Sequence, residues 1–327
     1  MDTYPISASS LEKFYFVDGH QVERQYKDHL SGYREWAESE HADEWLIFAD
    51  NIGPHLSIDE TSMSDGELYT IVTNKEAHGK KGAIVAIVSG TKSEDVYNAL
   101  WRIPEEEREK VTEITLDLSS SMQKIARLSF PKATQVIDRF HVQKLALDAL
   151  QELRIDFRWD AIEEENRMRV EAKERGEAFD PPTFENGDTA RQLLVRSRYL
   201  LFKSREKWTK KQKARAEILF NRYPDIETAY NLSDSLRRIY SSSKSKSTAL
   251  PKLALWYNKV EEAGFESFKV VSDTVLANYS DILNFFNNKS TNASAESFNS
   301  KIKAFRAQLR GITDVKYFLF RLTKIFA

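Results

Sequence analysis

The hydrophobic period of this chain changes near Leu56 and again near Thr91, and that succession restricts the fold more than any other feature. Leu56 to Met63 (LSIDETSM) reads as a strand, Ser64-Asp65-Gly66 as a turn, and Glu67 to Thr73 (ELYTIVT) as the returning strand. Gly79-Lys80-Lys81-Gly82 breaks the chain before Ala83 to Val88 (AIVAIV), an apolar run of the buried-strand type. The three runs form an antiparallel meander. Helix and strand then alternate. Thr91-Lys92-Ser93-Glu94 offers a capping box ahead of a helix striped with Val96, Leu100 and Ile103, which Pro104 ends. Val111 to Leu118 (VTEITLDL) is the fourth strand. Ser119 to Phe130 is a helix with Met122, Ile125 and Leu128 at helical spacing, and Ala133 to Asp138 (ATQVID) is the fifth strand.

Three antiparallel strands followed by helix, strand, helix, strand is the element order of an RNase H-like fold, an order that other α/β folds share. The expectation is an α/β chain: a mixed five-stranded sheet flanked by helices and interrupted by a large all-helical insertion. Leu11 to Trp45 reads as charged helical segments anchored by Tyr33 and Trp36. No strand pattern occurs from Val142 to about Lys289. Arg191 to Phe202, Thr209 to Phe220 and Asp225 to Tyr240 look like amphipathic helices, and Ser241 to Thr248 (SSSKSKST) like a mobile polar connection. The expected parts are an N-terminal helical segment (1–54), the first part of the core (55–141), the insertion (142–289) and C-terminal helices completing the core (290–327).

Composition narrows the function classes. Of 327 residues, 41% are hydrophobic and 30% charged, a globular balance. With no cysteine there is no disulfide framework, thiol nucleophile or cysteine-bound zinc, which fits a cytoplasmic location. No apolar run spans a bilayer, and Met1 to Ser10 lacks signal-peptide character. The net charge of −2 does not favour a nucleic-acid partner, because affinity for one comes largely from neutralising phosphates. A DNA-binding reading therefore requires segregated charge.

Three acids stand where such a fold would bring them together. In an RNase H-like sheet the first and fourth strands are neighbours, so Asp59 and Asp117 would point at one spot. Glu296 would complete the set from the first turn of the last core helix, behind the cap candidates of Asn292-Ala293-Ser294-Ala295. Phosphoryl transfer by two divalent cations roughly 4 Å apart needs such a set of oxygen ligands, with two Mg²⁺ or Mn²⁺ as the natural ions. On the Glu296 helix, Phe298, Ile302, Phe305 and Leu309 form an apolar stripe. Asn299, Lys303, Arg306 and Arg310 share the other side with Glu296, a DNA-facing surface in outline.

Blander readings stand beside these. Acids in strands are usually exposed, and acids at helix starts usually serve the helix dipole. Glu60 and Asp138 compete with Asp59 and Asp117, and alternation puts Asp59 and Glu60 on opposite faces. In Asp138-Arg139-Phe140-His141, Arg139 and His141 could hold a scissile phosphate, or the string could be a capped helix start. Lys207, Lys210, Lys211 and Arg215 could grip DNA beside a stacking Trp208, although such a basic run is by default a solvated helix face.

The strings SIDETSMSDGELYTIVTN, LDLSSSM, VIDRFHVQK and TNASAESFNSKIKAFRAQLRGI, in this order, resemble bacterial transposases of the insertion-sequence L-three (ISL) family, especially a Bacteroidetes-like subgroup. The resemblance implies a DDE triad at Asp59, Asp117 and Glu296, with His141 assisting at the scissile phosphate or at flipped bases. It implies hydrolysis at a transposon end, then attack of the freed 3′-hydroxyl on target DNA by a homo-oligomer. Family members commonly carry an N-terminal zinc-binding region and a helix-turn-helix. This cysteine-free chain is expected to rely on a separately encoded N-terminal recognition protein, or to be a truncated remnant. A metal-dependent nuclease or resolvase, and an inactive DNA-binding derivative, are the alternatives.

Overall fold

The computed structural model describes residues 1–64, 66–309 and 311–327. Asp65, in the expected turn, and Arg310, an expected DNA contact, lie outside the described residues. The chain divides into two units, residues 1–138 with 288–327, and residues 139–287.

The first unit is built on one mixed sheet. Its strands are β1 (Trp45–Ile47), β2 (His55–Ser64), β3 (Glu67–Asn74), β4 (Ile84–Ser89), β5 (Glu113–Leu116) and β6 (Thr134–Ile137). Their order is β1-β4-β3-β2-β5-β6. β2, β3 and β4 form the antiparallel meander, while β5 joins β2 and β6 joins β5 in parallel. This is the RNase H-like sheet with a sixth strand where five were expected. A run as short as Trp45–Ile47 displays no two-residue period, and Trp45 closes a segment that reads as helical. Pairing with β4 makes it a strand (Trp45↔Val88, Ile47↔Ala86) and covers an edge of backbone donors and acceptors.

Helices α1 (Ala8–Tyr15) and α2 (Gly19–Gln25) open the chain. α3 (Ser93–Leu100), α4 (Glu105–Arg108) and α5 (Ser120–Ser129) fill the crossovers to β5 and β6. Alternation along the strands decides which side chains meet them. Leu56, Ile58, Val72 and Val85 pack with Val96, Leu100, Met122, Ile125 and Phe130 on one face. Burying each such side chain contributes roughly 1.5–3 kcal/mol. The expected box on Thr91 and Glu94 does not form. α3 starts one residue later than that box requires, with Lys92 at the cap position and no side-chain capping bond.

The second unit contains α6 (Arg139–Glu174), α7 (Ala190–Arg196), α8 (Arg198–Leu201), α9 (Lys210–Arg222), α10 (Pro224–Ser242), α11 (Lys246–Ala263), α12 (Glu266–Ala277) and α13 (Tyr279–Asn288). The serine-rich run is not the open connection its polarity suggests. α10 continues to Ser242, and Ser245 caps α11 by accepting from the Thr248 N–H while Thr248 returns the bond. Serine is a poor helix interior residue but a good cap, so the run is taken up by two helix ends. Trp208 is only 8% exposed and donates Nε1–H to the Leu200 carbonyl at 2.8 Å. It packs on Phe220 and Tyr230, so it is a core residue and not a stacking platform.

The chain then returns to the first unit with α14 (Ala293–Gln308) and α15 (Val315–Phe326). Phe298, Ile302 and Phe305 of α14 and Phe318 and Leu322 of α15 cover the other face of the sheet, over Met63, Ile71, Ile84 and Ile87. Tyr33 and Trp36, the aromatic anchors of the N-terminal segment, pack around Phe320. α14 thus lies over the sheet face opposite α3 and α5.

Candidate active site

Asp59 lies in the middle of β2, flanked by β3 and β5. Its neighbour Ile58 belongs to the core shared with α3 and α5, so the pleat turns Asp59 to the α14 face. Asp59 Oδ2 accepts from the Asn299 side-chain amide at 2.7 Å, and its Oδ1 accepts from the Glu60 backbone N–H at 2.8 Å. Asp117 is the first residue past β5. The parallel register pairs His55 with Glu113 and Ser57 with Thr115, and two more residues along each strand set Asp59 beside Asp117. Asp117 Oδ1 accepts from the Asn292 amide at 3.1 Å.

Both amides come from one helix. Asn292 stands at the cap position of α14 and Asn299 two turns on, with Glu296 between them in the first turn. The spacing i, i+4, i+7 puts the three on one stripe. One end of the stripe is hydrogen-bonded to Asp117 and the other to Asp59. Glu296 itself is exposed, and its carboxylate comes within 4.8 Å of that of Asp138, just past β6. Asp138 is 2% exposed, and its backbone N–H extends the β5–β6 pairing by donating to the Leu116 carbonyl at 3.0 Å. Asp59 in mid-β2 and Asp117 just past β5 are thus bonded to α14 through Asn299 and Asn292, while Asp138 just past β6 lies near Glu296.

Asn299, expected among the DNA contacts, is 8% exposed and spends its amide on Asp59. Glu60 is not remote from the site despite the pleat. Burial, and then the charge of Asp117, push its carboxyl above the usual value, so it lies within electrostatic reach of Asp117. Lys303 is exposed and Arg306 half-buried on α14.

A polar network holds the segment that leads into α14. The Lys75 ammonium donates to Thr115 Oγ1 at 2.9 Å and to Ser290 Oγ, and it lies 3.6 Å from Glu113. Asn288 donates to the other oxygen of Glu113 at 2.5 Å. The Lys75 and Glu113 side chains are 17% and 10% exposed. Burial lowers the Lys75 pKa, partly offset by the charge of Glu113. Sequence reasoning did not single out this network or the role of Asn292. Alternation was its only trace: Glu113, Thr115 and Asp117 share a face of β5.

In the second unit, Arg139 and His141 occupy the first turn of α6, one and three residues past Asp138. The Arg139 guanidinium is exposed and lies 5.8 Å from the centre of the Phe285 ring. Lys207, Lys210 and Lys211 are exposed. Arg215 is half-buried and bonded through Nε to Asp188 at 3.1 Å, an internal ion pair that also includes Arg196. That engagement ties the Arg215 side chain to the protein's own Asp188.

Oxygen donors predominate in the first unit, where Asp138 and Glu296 offer carboxylate oxygens within 4.8 Å of one another. Asp59, Asp117, Asp138 and Glu296 supply carboxylates, and Asn292 adds a buried amide oxygen with no hydrogen-bond partner. Hard oxygen groups of this kind suit Mg²⁺ or Mn²⁺.

The first unit is therefore a mixed RNase H-like sheet with acids on neighbouring strands and a further acid on the helix laid over them. The transposase family model of the DDE, ISL3 type matches residues 56–322. The chain belongs to that family. It is also 21% identical over 273 residues to the transposase for insertion sequence element IS1001 of Bordetella parapertussis, an alignment covering 83% of this chain and 61% of that protein. No helix among the described residues is long and apolar enough to cross a membrane.

Proposed function

We propose that this chain is the catalytic part of an insertion-sequence transposase, which cleaves DNA at the element's ends and joins the freed 3′-hydroxyl to target DNA. The observation that carries the reading is the α14 stripe, in which Asn292 is bonded to Asp117 and Asn299 to Asp59, with Glu296 between them.

Asp59, Asp117 and Glu296 would hold two Mg²⁺ or Mn²⁺ ions, with Asp138 beside Glu296 as a fourth acid. When bound, such ions activate the attacking oxygen and offset charge on the leaving one. The acids orient the site, and Lys303 and Arg306 place cationic groups on the same helix for phosphate. His141 and Arg139 would approach the scissile phosphate from the start of α6. Lys207, Lys210 and Lys211 would hold flanking DNA, and the active assembly would be a homo-oligomer. The IS1001 relative extends well beyond the matched region, and recognition of the terminal repeats is assigned to chain outside that region or to a separate protein.

A strand-transfer assay with end DNA and Mg²⁺ or Mn²⁺ tests the proposal. Joined products are expected from the chain and none from Asp117→Ala. Full activity in Asp117→Ala rules out the assigned site, and products that are cut but never joined favour a nuclease.

A further inference from the structure

We infer that Asn292 and Asn299 are positioning residues that set the two aspartates for cation binding, an assignment that rests on the metal-dependent reading above. Asn292 carries the stronger observation. An asparagine at a helix cap ordinarily accepts a backbone N–H through Oδ1, an arrangement worth about 1 kcal/mol. Asn292 is fully buried at that position and makes no side-chain capping bond. Its Nδ2 instead donates to Asp117 Oδ1 at 3.1 Å and to the Ile58 carbonyl at 3.4 Å. Both partners are acceptors, so only the NH₂ end can point at them. The Oδ1 atom is left buried without a partner, a cost that protein interiors seldom bear without a reason.

Asn299 repeats the logic two turns later. It is buried beside Phe298 and Ile302, where an apolar residue would pack without an amide to satisfy, and it donates to Asp59 Oδ2. Adjacent aspartates repel one another, and two amide donors offset that repulsion while fixing the plane of each carboxylate. A carboxylate offers about four lone-pair sites, so an amide and a cation can share it. Because both donors ride on α14, the same two bonds also set where Glu296 stands. Seating of the helix and orientation of the aspartates are one event.

Outer partners of metal ligands typically control affinity by about 10–100-fold. The test is Mn²⁺ binding to the full chain, read by electron paramagnetic resonance without DNA or turnover. Asn292→Ala and Asn299→Ala are expected to raise the Mn²⁺ Kd at least about tenfold. Asn299→Gln, which retains a donor, is expected to recover part of the loss. Melting curves on the same samples show whether each variant is folded.

An unchanged Kd in a folded variant overturns the inference. In case the alanine variants fail to fold, the side-chain amide resonances of Asn292 and Asn299 are followed in the unaltered chain as Mg²⁺ is added. They are expected to shift, and constancy while Mg²⁺ binds overturns the assignment. If the unaltered chain binds neither ion, the metal-dependent reading itself fails and takes this one with it. If the unaltered chain binds Mn²⁺ and joins DNA while the variants match it, only the positioning role is lost.

Discussion

Asn299 and Asp59 are 240 residues apart in the chain and 2.7 Å apart in the fold. The bond joins the central strand of the sheet to the helix that carries Glu296. That strand is thereby coupled to a helix that the chain contributes only after the entire helical unit has been traversed. The bond's contribution can be isolated by a double-mutant cycle. Asp59→Ala and Asn299→Ala, separately and together, are expected to show a coupling of about 1.5–3 kcal/mol in denaturant melts, as for a hydrogen bond to a charged group. Strict additivity would mean that the two do not interact in solution.

Removal of a single carboxylate should stop the chemistry without dissolving the fold. Asp59→Ala, Asp117→Ala and Glu296→Ala are each expected to lower strand transfer by about a thousandfold or more, corresponding to at least about 4 kcal/mol of barrier. Glu296 is exposed, so its variant should melt with the parent protein. Asp138→Ala distinguishes the fourth acid. A loss comparable to that of Glu296→Ala would make it a ligand, and a purely thermal effect would make it structural.

Lys75 and Glu113 form a buried pair whose members also hold Ser290, Thr115 and Asn288. Truncating one partner strands the other, so Lys75→Ala or Glu113→Ala should destabilise the chain by about 3–5 kcal/mol. Replacing both with apolar residues should cost much less. Chemical denaturation of the three variants settles the comparison, and similar costs for the single and double changes would show that the charges are not mutually compensating.

Acid sensitivity should trace partly to Asp314, which caps α15 by accepting from the Tyr317 N–H at 2.9 Å and pairs with Lys27 at 2.6 Å. Burial works to raise this carboxyl, but the Lys27 and Tyr317 bonds outweigh it and hold the pKa below its ordinary value. The folded value is lowered, so the contribution is complete above the unfolded value of about 3.9 and is lost as pH falls through the lower folded one. Asp314→Asn keeps a capping oxygen and removes the titration. Melting temperature against pH should therefore fall less steeply below about pH 4 in the variant.

The basic run of the helical unit separates into two roles. Lys207→Ala, Lys210→Ala and Lys211→Ala should each weaken DNA binding and reduce the slope of log K against log salt by up to about 1. Arg215→Ala should leave that slope nearly unchanged and lower the melting temperature, since its guanidinium is committed to buried Asp188. Equal salt slopes for all four would contradict the division.

Much of the fold was legible from local pattern. The β2–β4 meander, the alternation through α3, β5, α5 and β6, and the helical character of residues 142–289 each follow from hydrophobic period and turn residues, which act within a few positions of one another. The positions of Asp59, Asp117 and Glu296 on their elements were legible for the same reason. Short or polar elements were not. β1 exists because β4 presents an open edge to it, and the serine run became a cap because two helices needed ends. Tertiary structure alone decided how Asn292 and Asn299 are used. Their side chains suit a cap and a solvent-facing stripe equally well, and only docking α14 on the sheet brings two aspartates within hydrogen-bond distance. It likewise assigned Trp208 to the core and Arg215 to Asp188, because burial and charge pairing depend on neighbours that no local period can reveal.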